Sequence, residues 1–260
     1  MNERDYRSDP SFNQSFLKKM LISPAHAQAS IGKPPTDAME FGSALHDYIL
    51  EPETFYLRYR PMDKLDGRTP EGKAQKAEKE RLEAKGVKIL TGADMALLNG
   101  MWDAIEKNPL AAGYIWGGEG FNEHPLYWTC HYTGAPCKAR LDRVMPGRYI
   151  VDLKTIGKEA SKNALWYQIR DLHYDFQAAY YQEAWRMTAG EVLPFIMVFV
   201  ETKPPHGVRV VRLEQEMVNT AFTQCLDTLK EALYCQQSGH WPAYPQEIIT
   251  IGERRPRDDG

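Results

Sequence analysis

Residues 136 to 155 constrain this chain more tightly than any other stretch. Two runs that alternate apolar with charged residues, PCKARLDRVM and RYIVDLKT, flank a Pro146-Gly147 turn. They read as adjacent strands. Alternate side chains of a strand share a face, so Lys138, Arg140 and Asp142 project together, as do Asp152 and Lys154. Val151 and Leu153 then point into the core behind them. The turn makes the strands neighbours, which brings the Asp142 and Asp152 carboxylates within reach of one divalent cation. Two acids side by side are costly unless a positive charge neutralises them. Hard oxygen ligands suit magnesium, which keeps its waters and accepts phosphate oxygens. Lys154 then stands beside the metal-bound water or a phosphate, an arrangement suited to phosphodiester hydrolysis. By spacing alone, D-x9-D-x-K also reads as a surface ion-pair cluster. The apolar context of LKT and further pieces elsewhere in the chain favour the chemistry.

The surrounding pattern predicts a mixed α/β domain with a central mixed sheet flanked by helices. FNEHPLYWT, from residue 121, precedes a turn at Tyr132-Thr133-Gly134 and makes the pair above a three-stranded meander. Helices over 160–170 and 175–188, an apolar strand LPFIMVFVET, a turn at Lys203 to Gly207, a strand VRVVRL and a helix over 214–237 follow. The N-terminal part is helical: residues 11–22 with Ser11 as cap, then, after a loop, Thr36 or Asp37 to Leu50, ended by Glu51-Pro52. Residues 71–86 carry charges of both signs and almost no apolar face, as an exposed helix or mobile flap does. Thr91-Gly92-Ala93-Asp94 caps an amphipathic helix. One domain over 1–260 is expected, mainly helical over 1–115, with the catalytic sheet and helices at 116–240 and a tail at 241–260.

Three further positions carry chemistry. Gln177 and Tyr181 lie four apart on one helical face directly after the second strand, as a core pair or as a support for Lys154. His46 sits on a helix whose other residues are apolar, either packed or ligating a metal through its imidazole, which would let manganese substitute. Glu123, on the first meander strand, is an exposed acid, a ligand or a support for one. The net charge of −3 gives no global signature of nucleic-acid binding, so phosphate contacts need a locally basic channel. Arg140 and Lys138 are the candidates, Arg140 first because its fork grips phosphate bidentately. Cys130, Cys137, Cys225 and Cys235 lack zinc-site spacing and are expected as free thiols. No apolar run spans a membrane and the N-terminus lacks a secretory layout, so a cytoplasmic protein without a membrane partner is expected.

His46, Glu123, Asp142, Asp152-x-Lys154 and Gln177-xxx-Tyr181, in this order, resemble the motif set of the PD-(D/E)XK nuclease superfamily, including its RecB-type and lambda-exonuclease-type members. FGSALHDYILEPETF, KARLDRV, IVDLKT, YDFQAAYYQEAW and HWPAY are most similar to the exonuclease VIII (RecE-type) family, as is SFNQSFLKKMLISPAHA near the N-terminus. The resemblance implies a restriction-endonuclease-like core. It makes Asp142, Asp152, His46 and the carbonyl of Leu153 metal ligands and Lys154 the catalytic lysine, with Glu123 at or near the site and Gln177 and Tyr181 in support. It further implies magnesium-dependent 5′-to-3′ digestion of one strand of linear duplex DNA, leaving 3′ overhangs for recombination with a RecT-type annealing protein, by a trimeric or tetrameric ring. The alternatives are an endonuclease or CRISPR-associated-type nuclease of the same fold, or a catalytically silent DNA-binding recombination protein.

Overall fold

The computed structural model describes residue 6, residues 8–63 and residues 65–250; the ends of the expected N-terminal stretch and of the tail, 1–5 and 251–260, lie outside the described residues. Helices α1 (Gln14–Met20), α2 (Pro24–Ser30), α3 (Asp37–Leu50) and α4 (Pro52–Arg58) lead to strand β1 (Tyr59–Pro61). Next come α5 (Pro70–Glu83), β2 (Lys88–Leu90), α6 (Gly92–Glu106) and α7 (Pro109–Trp116). The second half holds β3 (Phe121–Thr129), β4 (Pro136–Met145), β5 (Tyr149–Ile156), α8 (Lys162–Asp171), α9 (Tyr174–Ala189), β6 (Phe195–Glu201), β7 (Val208–Arg212) and α10 (Gln215–Ser238). The five long strands form one mixed sheet in the order β3-β4-β5-β6-β7, parallel only between β5 and β6. This is the expected mixed α/β architecture. Among the described residues, no helix is long and apolar enough to cross a membrane.

Local chemistry explains most boundaries. Thr36 caps α3 by accepting from the Met39 N–H, and Thr91 and Asp94 close a reciprocal capping box on α6. At α1 the cap is Asn13, accepting from the Phe16 N–H, rather than Ser11, whose own N–H donates to Asp9. Three short helices, α2, α4 and α7, were not anticipated. SPAHAQAS forms α2 because Ser23 caps it and Pro24, lacking an N–H, fits the first turn; PETFYLR forms α4 on the same proline rule. SPAHAQAS falls in the stretch expected as loop, and for PETFYLR no element is expected, for want of a helical apolar period. The charged 71–86 segment is helix α5, with Leu82 its one buried side chain beyond Gly72.

The sheet is covered on both faces. On one, Phe195, Met197 and Phe199 of β6 and Ile150 and Ile156 of β5 pack with α1, α8, α9 and α10. On the other, Val151, Leu153, Ile196, Val198 and Val200 pack with α3, α4, α6 and α7. The expectation that Val151 and Leu153 point away from the Asp152 face holds. Helix α9 is buried along eleven consecutive residues, Asp175 to Trp185, between the sheet and α10. A helix enclosed all round cannot shift without opening the core. All four cysteines are free and buried.

Candidate active site

The site lies where β4 and β5 separate. Asn122 pairs with Arg143 and His124 with Leu141, which sets Glu123 opposite Asp142; Arg143 pairs with Val151, which carries Asp152 to the other side of Asp142. Three carboxylates thus form a row across three strands. The β4–β5 ladder runs from Met145↔Tyr149 only as far as Arg143↔Val151. Beyond it the Asp142 Oδ2 accepts from the Leu153 backbone N–H at 2.8 Å in place of a strand carbonyl. β5 stays in the sheet because it pairs with β6 along its whole remaining length, Ile150↔Phe195 to Ile156↔Glu201.

The gap lets both helical layers reach the row. From the Leu153 side of the sheet, His46 of α3 donates from Nε2 to the Leu153 carbonyl at 2.8 Å, while its Nδ1 lies 3.5 Å from Asp142 Oδ2 and 3.9 Å from Glu123 Oε1. From the opposite layer, Gln177 of α9 donates to Asp152 Oδ1 at 2.5 Å. Lys154 Nζ meets Asp152 Oδ2 at 2.5 Å. Arg140 Nε reaches Glu123 Oε2 at 2.9 Å. Tyr181 lines the same cavity, of about 470 Å³.

Like charges in a row perturb protonation in opposite senses. Burial works against a charge on His46, but Asp142 and Glu123 outweigh it and push its pKa up to about 9. Burial lifts Asp152 to about 6, against the pull of Lys154 and with the push of Asp142. Burial also opposes the Lys154 ammonium, yet Asp152 and Asp142 hold it above the usual lysine range. The Tyr181 hydroxyl stays protonated, first through burial and then through the two aspartates.

The donor set fits a hard divalent cation. One ligand atom each from His46, Glu123 and Asp142 lie within 4.8 Å of one another. Glu123 Oε1 is buried without a hydrogen bond, an arrangement that leaves an oxygen in need of a partner. Glu123 also holds a left-handed backbone, φ 46°, which an L side chain adopts at a cost and which is found disproportionately at functional sites.

The structure therefore brings together His46, Glu123, Asp142, Asp152, Lys154, Gln177, Tyr181 and Arg140. Glu123, read as a ligand or a support for one, stands with His46 and Asp142. Asp152 is engaged by Lys154 and Gln177, and the Leu153 carbonyl by His46. Lys138 lines the cavity beside Arg140, but its ammonium is engaged by the N-terminal segment. Only 3% exposed, it donates to the carbonyls of Tyr6 at 2.7 Å and Asp9 at 2.6 Å. Its ammonium ties the N-terminal segment over β4; alternation placed it on the Arg140 face but could not show these carbonyl partners. Sequence reasoning missed Tyr174, whose ring centroid is 5.2 Å from Lys154 Nζ. Extending the Gln177–Tyr181 stripe back by three residues would have found it. Arg58, which lines the cavity and binds Asp47 and Glu51 at 2.6 Å each, lies on the unforeseen α4 and gave no signal.

Residues 13–252 match the family model described as a PDDEXK-like domain of unknown function (DUF3799). No curated protein matches the sequence. Among solved structures, a candidate exonuclease from Eubacterium rectale superposes with a TM-score of 0.68 at 16% identity, over 98% of this chain and 96% of that one. At that identity the likeness is one of fold. A phage-related exonuclease from Haemophilus somnus 129PT aligns over 88% of this chain and 96% of its own at 13% identity, with a TM-score of 0.38, too low to carry an argument.

Proposed function

The chain belongs to the PDDEXK-like family DUF3799, and from that membership and the cluster around Asp142 we propose that it is a divalent-metal-dependent nuclease that digests linear double-stranded DNA from an end. The observation that carries this reading is the convergence of His46, Glu123 and Asp142 beside a paired Asp152 and Lys154 in a cavity large enough for a phosphodiester. A surface ion-pair cluster would be open to solvent and needs no such row. The E. rectale structure, described as a candidate exonuclease, is consistent with attack from an end.

His46, Glu123 and Asp142 would hold the cation, with Asp152 bordering it; magnesium is the natural occupant and manganese a substitute, given one imidazole among oxygens. Such a cation supplies Lewis-acid polarisation of the phosphate and a lowered water pKa. Lys154, kept charged by two aspartates, orients the attacking water or steadies the charge that grows on the phosphate. Gln177 holds Asp152 in the rotamer that keeps Lys154 in place. Arg140, bound to Glu123 on the cavity wall, is the phosphate contact we assign. In this reading the polarity is 5′-to-3′, the product carries a 3′ overhang for a RecT-type annealing protein, and the working form is a ring of three or four copies.

The test is incubation of end-labelled linear duplex with magnesium, in parallel with closed circular plasmid. Progressive shortening of the linear strand labelled at its 3′ end, with the plasmid intact, is the expected result. Cleavage of the circle would make the protein an endonuclease of the same fold. No cleavage of either would remove the nuclease reading.

A further inference from the structure

We propose that Tyr174 is a positioning residue that holds the Lys154 ammonium over the face of its ring; the proposal rests on the nuclease reading above. Tyr174 is the first residue of α9, and with Gln177 and Tyr181 it forms a stripe at i, i+3 and i+7. Each member meets a different part of the site. Gln177 binds Asp152, Tyr181 lines the cavity near both aspartates, and the Tyr174 ring centroid lies 5.2 Å from Lys154 Nζ. That distance is within the range of a cation–π contact.

The ring is itself held: it packs against Phe199 of β6, centroids 6.0 Å apart. A second ammonium, Lys18 of α1, lies 5.2 Å from the same centroid and is fixed by donating to the Leu172 carbonyl at 3.2 Å. Its charge repels that of Lys154. A lysine side chain has four rotatable bonds and rotamer entropy to lose when it is held in place. Asp152 alone fixes one direction of approach. The ring supplies a second contact, and repulsion from Lys18 acts on the same ammonium.

The decisive experiment changes the ring's electrostatics without changing its shape. Tyr174 is replaced by Phe, which keeps the negative face, and by 3,4,5-trifluorophenylalanine, which loses it. We expect Tyr174→Phe to retain activity on linear duplex, and the trifluoro variant to lose about tenfold in kcat with KM unchanged. In the metal-free protein, the Lys154 ε-methylene protons should be shifted upfield by the ring current in wild type and Tyr174→Phe, and lose that shift in the trifluoro variant. Equal kcat and equal shifts in the two variants would overturn the positioning role. Lys154→Ala separates the levels: if wild type is inactive, the nuclease reading falls and this proposal with it; if wild type is active and Lys154→Ala equally so, the catalytic role of Lys154 falls and this proposal with it. If Lys154→Ala is inactive while the trifluoro variant matches Tyr174→Phe, only the role of Tyr174 falls.

Discussion

The Asp142 carboxylate accepts a hydrogen bond from the backbone N–H of Leu153 at 2.8 Å, at the point where strand pairing between their two strands stops. The carboxylate thus does two jobs, satisfying a buried donor and facing the cation cluster, and substitutions can separate them. Asp142→Asn keeps an acceptor for the N–H but removes the charge; we predict a folded protein with at least a hundredfold loss of digestion of labelled linear duplex. Asp142→Ala also strands the N–H, at a further cost of about 1–3 kcal/mol. Urea unfolding of the two variants side by side checks the difference.

Lys154→Ala is predicted to abolish digestion and also to lower stability. Asp152 is 1% exposed, and the ammonium is its only cationic contact within 4 Å among the described residues. A buried charge left without its partner costs roughly 3 kcal/mol. Replacing both members, as Asp152→Asn with Lys154→Met, should restore most of the lost stability and none of the activity, which thermal melts and the duplex assay read separately.

Divalent cations should raise the melting temperature of the wild-type protein, and chelation should reverse the rise. A ligand present at a hundred times its dissociation constant stabilises by about 2.7 kcal/mol. We expect the effect to disappear in His46→Ala, Glu123→Gln and Asp142→Asn. Calorimetric titration with magnesium or manganese that shows undiminished binding in all three would exclude them as the ligand set.

These assignments were unevenly legible in the sequence. The β4 and β5 segments, their turn and the facing of Asp152 and Lys154 follow from period-two alternation, which depends only on local backbone geometry. The caps at Thr36 and Thr91 were legible for the same reason. Lys138 was not: its alternation put it beside Arg140, but its partners are carbonyls some 130 residues earlier in the chain, and no local rule reports them. For Glu123 the sequence left open an exposed acid, a ligand or a support for one, because its left-handed backbone leaves no trace in residue type. Helices α2 and α4 escaped because a seven-residue helix has too few turns to display a period.

Lys18, beside the site, gives the stability curve a pH dependence. Burial, then repulsion from Lys154, pushes its pKa down to about 8 from the usual 10.5. The unfolded chain then binds more protons than the folded one between those values, so stability rises as pH climbs from about 8 through the ordinary lysine range. In chelator-treated protein, Lys18→Met should remove that rise and increase stability at pH 7. An unaltered slope between pH 8 and 10.5 would show that Lys18 is not the source.

A packing test is independent of all of these. Phe199 is fully buried in β6 and supports Tyr174. Phe199→Ala should cost about 3–5 kcal/mol in urea unfolding.

The unbroken burial of α9 has a consequence for how a substrate enters. Since Gln177 and Tyr181 ride on an element clamped on every side, that half of the cleft behaves as an anvil, set before any DNA arrives. Adjustment to the width of a strand falls to the facing jaw, which runs from Ser43 to Tyr59 and returns at Gly86 and Lys88, backed by the thinly anchored charged helix α5. Grafts that retune which nucleic acid is accepted belong on the outer part of that jaw, at Gly86, Lys88 and α5, where the chain can be redrawn without dislodging His46 or the α9 half.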